Sequence, residues 1–199
     1  MGIGHASNKQ FSFAFRKQRF SYGGELRKKR CGRGQRPLST KQSLHAVFKL
    51  NKIKLQHRSL RSAVGFRLTV QVIRQYSKRF KVKIEHLSIQ NDHIHILIRT
   101  TRRSHFHHFF RVVAGQIAQR FEKEGLFAST VTDTPDRVSR TRTSLWIHRP
   151  FSRVVIGARA FKIARDYIQL NEKEITGQIP YRKTRLRGLS SADWEILWS

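Results

Sequence analysis

The chain has 199 residues, of which 38% are hydrophobic, which suits one domain with tails. Lysine and arginine number 41 against 12 aspartate and glutamate, a formal net charge of +29, so we expect a polyanionic partner, most commonly nucleic acid. The single cysteine, Cys31, excludes an internal disulfide, and the chain shows neither a secretory signal nor an apolar run of about 18 residues, so we expect a cytoplasmic protein without a membrane partner.

Residues 1–40 are predicted to form a basic, extended arm. The first 36 residues are rich in lysine and arginine and hold one acid, Glu25. Glycine and arginine in "LRKKRCGRGQRP" (26–37) disfavour packing. A solubilising tail is one interpretation. Contact with phosphates is the other, and its candidate residues are Arg27, Lys28, Lys29, Arg30, Arg33 and Arg36.

Regular structure is predicted to begin near Ser43, where "SLHAVFKL" (43–50) is apolar enough for a strand. A long amphipathic helix follows, with Ser59 as its N-cap. Its apolar residues recur every four positions, as one helical face requires: Leu60, Val64, Leu68, Val72, Tyr76 and Phe80.

Two alternating segments, "KVKIEHLSIQ" (81–90) and "HIHILIRT" (93–100), predict a pair of strands. Asn91 and Asp92 between them are a turn signal, so we expect a hairpin. Ser104 then caps a second helix, and residues 128–144 form a polar loop. The apolar stripe of this helix comprises Phe106, Phe109, Phe110, Val113, Ile117 and Phe121.

The last strand is predicted in "SLWIHRPFSRVVI" (144–156), where Pro150 favours a sheet edge or a bulge. A third helix follows over 158–174, and residues 177–199 form a basic tail. The order β-α-β-β-α-β-α predicts an α+β domain over residues 41–176. We expect a ferredoxin-like antiparallel sheet with its helices packed on one face.

Two side-chain pairs could carry chemistry. Alternation places His93 and His95 on one face of their strand, where two imidazoles can converge on a divalent cation given a third ligand. A polar sheet face is the alternative. Tyr167 and Asn171, four residues apart, share one helical face and offer a phenol nucleophile and an amide oxygen. Tyr167 could instead complete an apolar stripe with Ile163 and Ile168.

These motifs together resemble those of the HUH single-tyrosine transposases, most closely the REP-associated tyrosine transposases. The resemblance rests on "HIHILI" (93–98), "LWIHRPFSRVV" (145–155) and "DYIQLN" (166–171), and it covers about residues 40–176. It implies an open sheet face that carries Mg²⁺ or Mn²⁺ on His93, His95 and a third ligand, Asn171. It also implies Tyr167 as the nucleophile. Glu172 stands where many relatives have proline, and Glu172 or Asp92 could replace Asn171 as the ligand.

The activity that this resemblance implies is metal-dependent nicking and strand transfer on single-stranded DNA at hairpins resembling REP palindromes. The tyrosine would form a 5′-phosphotyrosine link and leave a free 3′-hydroxyl. The expected setting is the bacterial cytoplasm, in association with the nucleoid, and both a monomer and a dimer are compatible with the sequence. The alternatives are a nucleic-acid-binding protein without catalysis and a structural ribonucleoprotein component.

Overall fold

A computed structural model describes residues 20–24, 35–51, 59–126 and 144–199. A single turn of 3₁₀ helix at Arg185–Gly188 precedes the last helix. None of the helices in these ranges is both long enough and apolar enough to span a lipid bilayer. The strands and longer helices are, in chain order, β1 (Ser21–Tyr22), β2 (Ser43–Lys49), α1 (Ala63–Arg79), β3 (Lys83–Ile89), β4 (His93–Arg99), α2 (Arg103–Lys123), β5 (Phe151–Val155), α3 (Ala158–Ile175) and α4 (Ser191–Trp198).

The strands of the described ranges form one antiparallel sheet in the order β1-β5-β2-β4-β3. Leaving β1 aside, β2 lies between β5 and β4, and β3 lies at the far edge, which is the strand order of a ferredoxin-like fold. Strands β3 and β4 form the predicted hairpin, closed where the Gln90 N–H donates to the His93 carbonyl at 2.8 Å. The predicted fold class is therefore confirmed.

One face of this sheet is covered by α1 and α2. Because side chains alternate along a strand, Ile94, Ile96 and Ile98 all point to this face, and all three are buried. Every residue of the stripe predicted for α2 is buried against them: Phe106, Phe109, Phe110, Val113, Ile117 and Phe121. The isoleucine side of β4 is thus the helix-packed side, as its sequence pattern predicts.

Helix α3 packs against the opposite face of the sheet, mainly over β3 and β4. Ile168 forms a small second core there with Leu97 and Val155. The prediction that the helices pack on one face is confirmed for α1 and α2 and is wrong for α3, which covers part of the second face. This placement brings the polar residues of α3 to the side of β4 that carries the histidines.

Two predicted helix caps are wrong. Helix α1 begins at Ala63, and the Ser62 hydroxyl accepts the Gly65 N–H at 3.2 Å. The Ser59 hydroxyl instead donates to the Asn91 side chain at 2.8 Å, which ties the β3–β4 turn to the chain that enters α1. Ser104 lies inside α2, whose first turn receives no side-chain cap from Arg102.

The strand predicted over 144–156 is shorter in the structure. Strand β5 begins directly after Pro150, which has no N–H to donate to a strand ladder. Before Pro150, Trp146 forms an isolated bridge with Leu50. Its indole N–H donates to the Ala114 carbonyl at 2.9 Å, so this segment is anchored to α2.

Both ends of the chain contribute packed segments. In the predicted arm, β1 pairs Ser21 and Tyr22 with β5 at the sheet edge. In the predicted tail, α4 packs Leu197 against Leu170 and Ile179. The arm residues Arg27, Lys28, Lys29, Arg30 and Arg33 and the predicted loop up to residue 143 lie outside the described residues.

Candidate active site

His93 and His95 lie side by side on the α3 face of β4. Their ring centroids are 4.7 Å apart and the rings are nearly perpendicular. His95 is only 6% exposed, because α3 and the neighbouring strands cover it. The two imidazoles therefore share one location on the face opposite the isoleucines, as the strand alternation predicts.

The His93 ring is fixed by its neighbour in sequence. Its Nδ1 lies 2.6 Å from a carboxylate oxygen of Asp92. An ionised carboxylate only accepts hydrogen bonds, so Nδ1 carries a proton, and Nε2 is the ring nitrogen that could offer a lone pair to a ligand. A carboxylate behind a ligating histidine is a common arrangement in metal sites, because it sets the ring tautomer and orientation.

His95 has a partner that the sequence analysis missed. His45 on β2 places its Nε2 3.2 Å from Nδ1 of His95, and the two rings stack with centroids 5.4 Å apart. Alternation in "SLHAVFKL" puts His45 on this face, and the ferredoxin-like strand order puts β2 beside β4. Those two signals combined were sufficient to find His45.

Both of these histidines are neutral at pH 7. Burial, helped by the nearby His45, His93 and Arg185, lowers the pKa of His95 to about 2. Burial and the charge of Arg153 lower the pKa of His45 to about 4. Nε2 of His95 is buried and has no hydrogen-bond partner among the residues that the structure describes. Because an unpaired buried polar atom costs about 1–3 kcal/mol, this nitrogen is suited to a bound group.

Tyr167 faces His95 from α3. The two rings are perpendicular, with centroids 5.5 Å apart. The helix is held in this position by its small apolar core and by Gln90, whose side-chain amide donates to the Asn171 carbonyl at 2.8 Å. The structure therefore brings together the tyrosine and the histidine pair that the sequence analysis selected.

Asn171 lies one turn beyond Tyr167 and is buried. Its side-chain amide donates to the Tyr167 carbonyl at 2.8 Å, and its side-chain oxygen accepts from Arg185. An amide oxygen has two lone pairs, so one remains for a further ligand. Of the two alternative third ligands, Glu172 pairs with Arg61 at 2.8 Å and Asp92 with His93.

Arg185, from the 3₁₀ turn, is a second residue that the sequence analysis missed. Its guanidinium lies 5.2 Å from the centroid of the Tyr167 ring and 5.3 Å from that of Tyr181. An ion pair with Glu174 at 2.6 Å holds it there. Its backbone has φ 57°, a left-handed conformation that residues other than glycine rarely adopt. No local sequence signal marks this arginine, because its partners lie on a different helix.

The side chains at this site supply some of the ligand atoms that a divalent ion needs. Two imidazole nitrogens and an amide oxygen suit Mn²⁺ better than the harder Mg²⁺. The unpaired Nε2 of His95 is the observation that favours such an ion. Within the described ranges, no three side chains of His, Cys, Asp or Glu are grouped as a metal site. The ligand set thus stays a prediction that needs the Asn171 oxygen.

Arg36 is the one predicted DNA-contacting residue of the arm that the structure describes. It lies against the domain, with its guanidinium 4.8 Å from the ring centroids of both Tyr22 and Phe110. It donates to the Ser152 hydroxyl at 2.6 Å and to the Pro150 carbonyl at 3.0 Å. Arg36 is therefore held on the helix-covered side of the sheet and not near the histidines.

The fold and this site define an α+β protein with a tyrosine and a histidine pair at the interface between a sheet and a helix. The family model of the IS200-like transposases matches residues 40–171, which include His45, His93, His95, Tyr167 and Asn171. The chain belongs to the IS200-like transposase family. No curated protein sequence matches it.

Among the solved structures that are similar to the chain are the following two. One is the REP-associated tyrosine transposase bound to a REP hairpin, with 15% identity and a TM-score of 0.54 over 82% of this chain and 91% of that one. At that identity the likeness supports the fold alone. The other is a candidate transposase of Deinococcus radiodurans R1, with 16% identity and a TM-score of 0.41 over 72% and 98% of the two chains.

Proposed function

We propose that this chain is a single-stranded DNA endonuclease and strand transferase that acts at DNA hairpins through a covalent 5′-phosphotyrosine on Tyr167. The observation that carries the proposal is the perpendicular packing of the Tyr167 ring on His95, whose Nε2 has no hydrogen-bond partner in the described part of the chain. A nucleophile and a phosphate-orienting site are thereby adjacent. Membership of a transposase family supports DNA as the substrate.

In the proposed reaction, the phenol oxygen of Tyr167 attacks the scissile phosphorus, and the bond from phosphorus to the 3′ oxygen breaks. The tyrosine loses its proton and the leaving 3′ oxygen gains one, so the products are a 5′-phosphotyrosine and a 3′-hydroxyl. One phosphate ester replaces another. A second strand's 3′-hydroxyl can therefore reverse the step and join DNA without an external energy source.

His93 and His95, with Asn171 as the third ligand, would hold Mg²⁺ or Mn²⁺. When bound, such an ion neutralises and orients the scissile phosphate. The protein contributes ring nitrogens whose lone pairs can bind the ion. The tautomer in which Nδ1 of His95 donates to His45 leaves the lone pair on Nε2, and Asp92 does the same for His93.

Arg185 would supply a fixed positive charge beside the nucleophile. Its contacts with Tyr167, Asn171 and Glu174 support this role, because they hold the guanidinium beside the Tyr167 ring. A charge that is already in place needs no reorganisation during the reaction, and preorganised donors of this kind give a large part of enzymatic rate enhancement.

The hairpin is proposed as the partner because the similar transposase structure is bound to a REP hairpin. The net charge of +29 suits such a polyanion.

In this proposal the arm follows the hairpin backbone through Arg27, Lys28, Lys29, Arg30, Arg33 and Arg36. Because Ser21 and Tyr22 belong to the sheet, the arm is tested by replacing Arg27, Lys28, Lys29 and Arg30 with glutamine and not by deletion. An unchanged hairpin affinity and salt dependence would exclude this role.

The function is tested with labelled single-stranded DNA that carries hairpins from the flanks of the protein's own gene. After incubation with Mn²⁺ or with EDTA, a denaturing gel shows any covalent protein–DNA band. We expect a covalent band with Mn²⁺ and none with EDTA. The Tyr167→Phe variant should not form this band. The matched control is Tyr181→Phe, a tyrosine on the other side of Arg185 that is 73% exposed. A band that survives in Tyr167→Phe overturns the assignment of the nucleophile.

A second candidate function is nucleic-acid binding without catalysis. It is favoured by one observation: each candidate third ligand already has a partner, Asn171 in Arg185, Glu172 in Arg61 and Asp92 in His93. A salt-sensitive mobility shift without a covalent band, on several candidate strands, would select this function. His93 and His95 would then be polar residues of a sheet face.

A further inference from the structure

Ser59, Leu60 and Arg61, on the chain that enters α1, contact both halves of the candidate active site. The Leu60 side chain is buried in the main core, which fixes this segment to the domain. The Leu60 N–H donates to the Asn91 carbonyl at 3.0 Å, beside the contact of Ser59 with the Asn91 side chain. The segment therefore holds the β3–β4 turn, which also carries Asp92 of the candidate site.

Arg61 reaches from this segment to α3. Its Nη1 donates to the Glu172 carboxylate at 2.8 Å and to the Ile89 carbonyl at 3.2 Å. The guanidinium carbon lies 5.0 Å from the centroid of the Phe66 ring on α1. Three elements of the domain, α1, β3 and α3, thus meet at one arginine. Arg61 joins the helix-covered side of the sheet to the helix that carries the candidate nucleophile.

A second contact fixes α3 at the neighbouring residue. Gln90 donates to the Asn171 carbonyl at 2.8 Å, and Arg61 binds Glu172. Consecutive residues of an α-helix are rotated by about 100° around its axis, so the two contacts reach α3 from different sides. Together they restrict rotation of the helix about that axis. Because Tyr167 is on the same helix, this rotation decides whether its ring faces the histidines.

The ion pair of Arg61 is better suited to placing a helix than to strengthening the fold. The side chains of Arg61 and Glu172 are 24% and 36% exposed. Such an exposed pair adds little stability, because water screens the charges and two long side chains lose freedom. A guanidinium with three partners at once nevertheless has a fixed direction. The carboxylate also offsets the charge of Arg61, which makes this arginine a poor contact for a DNA phosphate.

We propose that Arg61 is a positioning residue, which acts through Glu172 to hold the Tyr167 ring against the histidine pair. The proposal rests on the proposed function, in which Tyr167 is the nucleophile. A nucleophile must lie close to the scissile phosphorus and in line with the leaving oxygen, and a displacement of about 1 Å can cost roughly 10²-fold in rate. Loss of the Arg61 contacts should therefore slow the chemical step without weakening DNA binding.

The test variant is Arg61→Met, which keeps an unbranched side chain over Phe66 and removes the guanidinium. Its matched control is Arg67→Met, which removes an exposed arginine of α1 and so loses the same charge. The single-turnover rate of covalent band formation is measured at saturating Mn²⁺ and hairpin DNA. The dissociation constant for that DNA is measured in EDTA by fluorescence anisotropy. Both proteins are compared well below their melting temperatures, so that only folded protein reports.

Arg61→Met is expected to lower the single-turnover rate roughly 10–100-fold relative to Arg67→Met. The dissociation constants of the two variants should agree within about twofold, because both have lost one positive charge. Equal rates in the two variants overturn the proposal. A weaker affinity of Arg61→Met at an unchanged rate also overturns it, since Arg61 would then be a phosphate contact.

A double-mutant cycle tests whether Arg61 acts through Glu172. The rate is measured for Glu172→Met and for the variant that combines it with Arg61→Met. Two residues that form one contact are not additive, so the combined variant should be no slower than Arg61→Met alone. Losses that multiply would show independent roles and overturn the route through Glu172.

The position of Tyr167 can also be followed without activity. The chain has four tyrosines, so a fluorinated tyrosine incorporated throughout gives four fluorine NMR signals, and Tyr167→Phe identifies one of them. This signal should shift or broaden in Arg61→Met, because the ring leaves its place beside His95, and should stay unchanged in Arg67→Met. An unchanged signal in Arg61→Met overturns the proposal.

This measurement separates failure of the positioning role from failure of the proposed function. If the unaltered protein forms no covalent band while the Tyr167 signal still moves in Arg61→Met, Arg61 positions the tyrosine and the nuclease assignment is wrong. If the band forms and Arg61→Met changes neither the rate nor the signal, the nuclease assignment stands and the role of Arg61 is wrong.

Discussion

The rings of Tyr167 and His95 meet at right angles with 5.5 Å between their centroids. His95 lies on β4, which is hydrogen-bonded to a strand on each side. Tyr167 lies on α3, which Gln90 and a small apolar core fix to the same sheet. Both partners are thus on rigid elements, and a site on such elements is held more closely than one on loops.

The first prediction concerns His45, which holds the His95 ring. His45→Leu removes the hydrogen-bond acceptor, so Nε2 of His95 is no longer fixed as the side with the lone pair. We expect the Mn²⁺ concentration for half-maximal covalent product to rise about 10–100-fold, as is typical for such supporting residues. The measurement is a Mn²⁺ titration of covalent band formation at saturating DNA.

His45→Asn should restore much of the Mn²⁺ affinity, because its side-chain oxygen can accept the same hydrogen bond. His86→Leu is the control, since His86 lies on β3 opposite Leu97 and not opposite His95. An equal rise in the His86 variant would mean that the effect comes from loss of any histidine on the sheet and not from support of His95.

Several elements followed from the sequence because their periodicity is long and regular. In β4 the isoleucines and histidines alternate without a break, and in α2 the phenylalanine stripe runs over most of the helix. Helix starts were harder, since Ser59, Ser62 and Ser104 are all acceptable caps by residue type. The choice among them depends on tertiary contacts such as that of Ser59 with Asn91.

The partners of the site residues were less accessible from the sequence. His45 and His95 are 50 residues apart and meet only through the pairing of β2 with β4. Arg185 reaches Tyr167 because the chain folds back after α3, in a region where the sequence analysis expected a tail. Ser190 and Asp193, three residues apart, form a capping box that marks the start of α4 and was not used.

The second prediction concerns Arg185 as the charge beside the nucleophile. Arg185→Gln should lower the single-turnover rate of covalent product formation by roughly 10²-fold at saturating Mn²⁺ and DNA, as loss of one preorganised donor does in other enzymes. Arg185→Lys should recover only part of the rate, because lysine cannot contact Glu174 and Asn171 with a planar fork. The nearby exposed Arg187→Gln serves as the control for charge. Equal losses at the two positions would contradict a specific role of Arg185.

The third prediction separates the candidate third ligands. Asn171→Ala should raise the Mn²⁺ requirement for covalent product formation. Glu172→Gln should leave it near that of the unaltered protein, because the Glu172 carboxylate is engaged by Arg61 at 2.8 Å. Both are measured in the same Mn²⁺ titration. The opposite ranking would assign Glu172 as the ligand and imply that Arg61 releases it when the ion binds.

The fourth prediction concerns stability against pH in the presence of EDTA. The folded pKa values of His45, about 4, and His95, about 2, lie below the ordinary value of 6.5. Below pH 6.5 the unfolded chain therefore binds more protons than the folded one, so the free energy of unfolding falls as the pH falls. Each histidine should contribute about 1.4 kcal/mol per pH unit once the pH is well below 6. For His45 this loss ends near pH 4, where the folded protein also binds the proton.

Urea unfolding of the unaltered protein and of His45→Leu at pH 7.5, 6.0 and 5.0 measures the share of His45 together with its effect on the pKa of His95, because the remaining titrating groups are common to both. The unaltered protein should lose more stability between pH 7.5 and 5.0 than the variant does. Parallel losses in the two proteins would show that His45 is not held neutral in the fold. A protonated His45 could not accept the hydrogen bond from Nδ1 of His95.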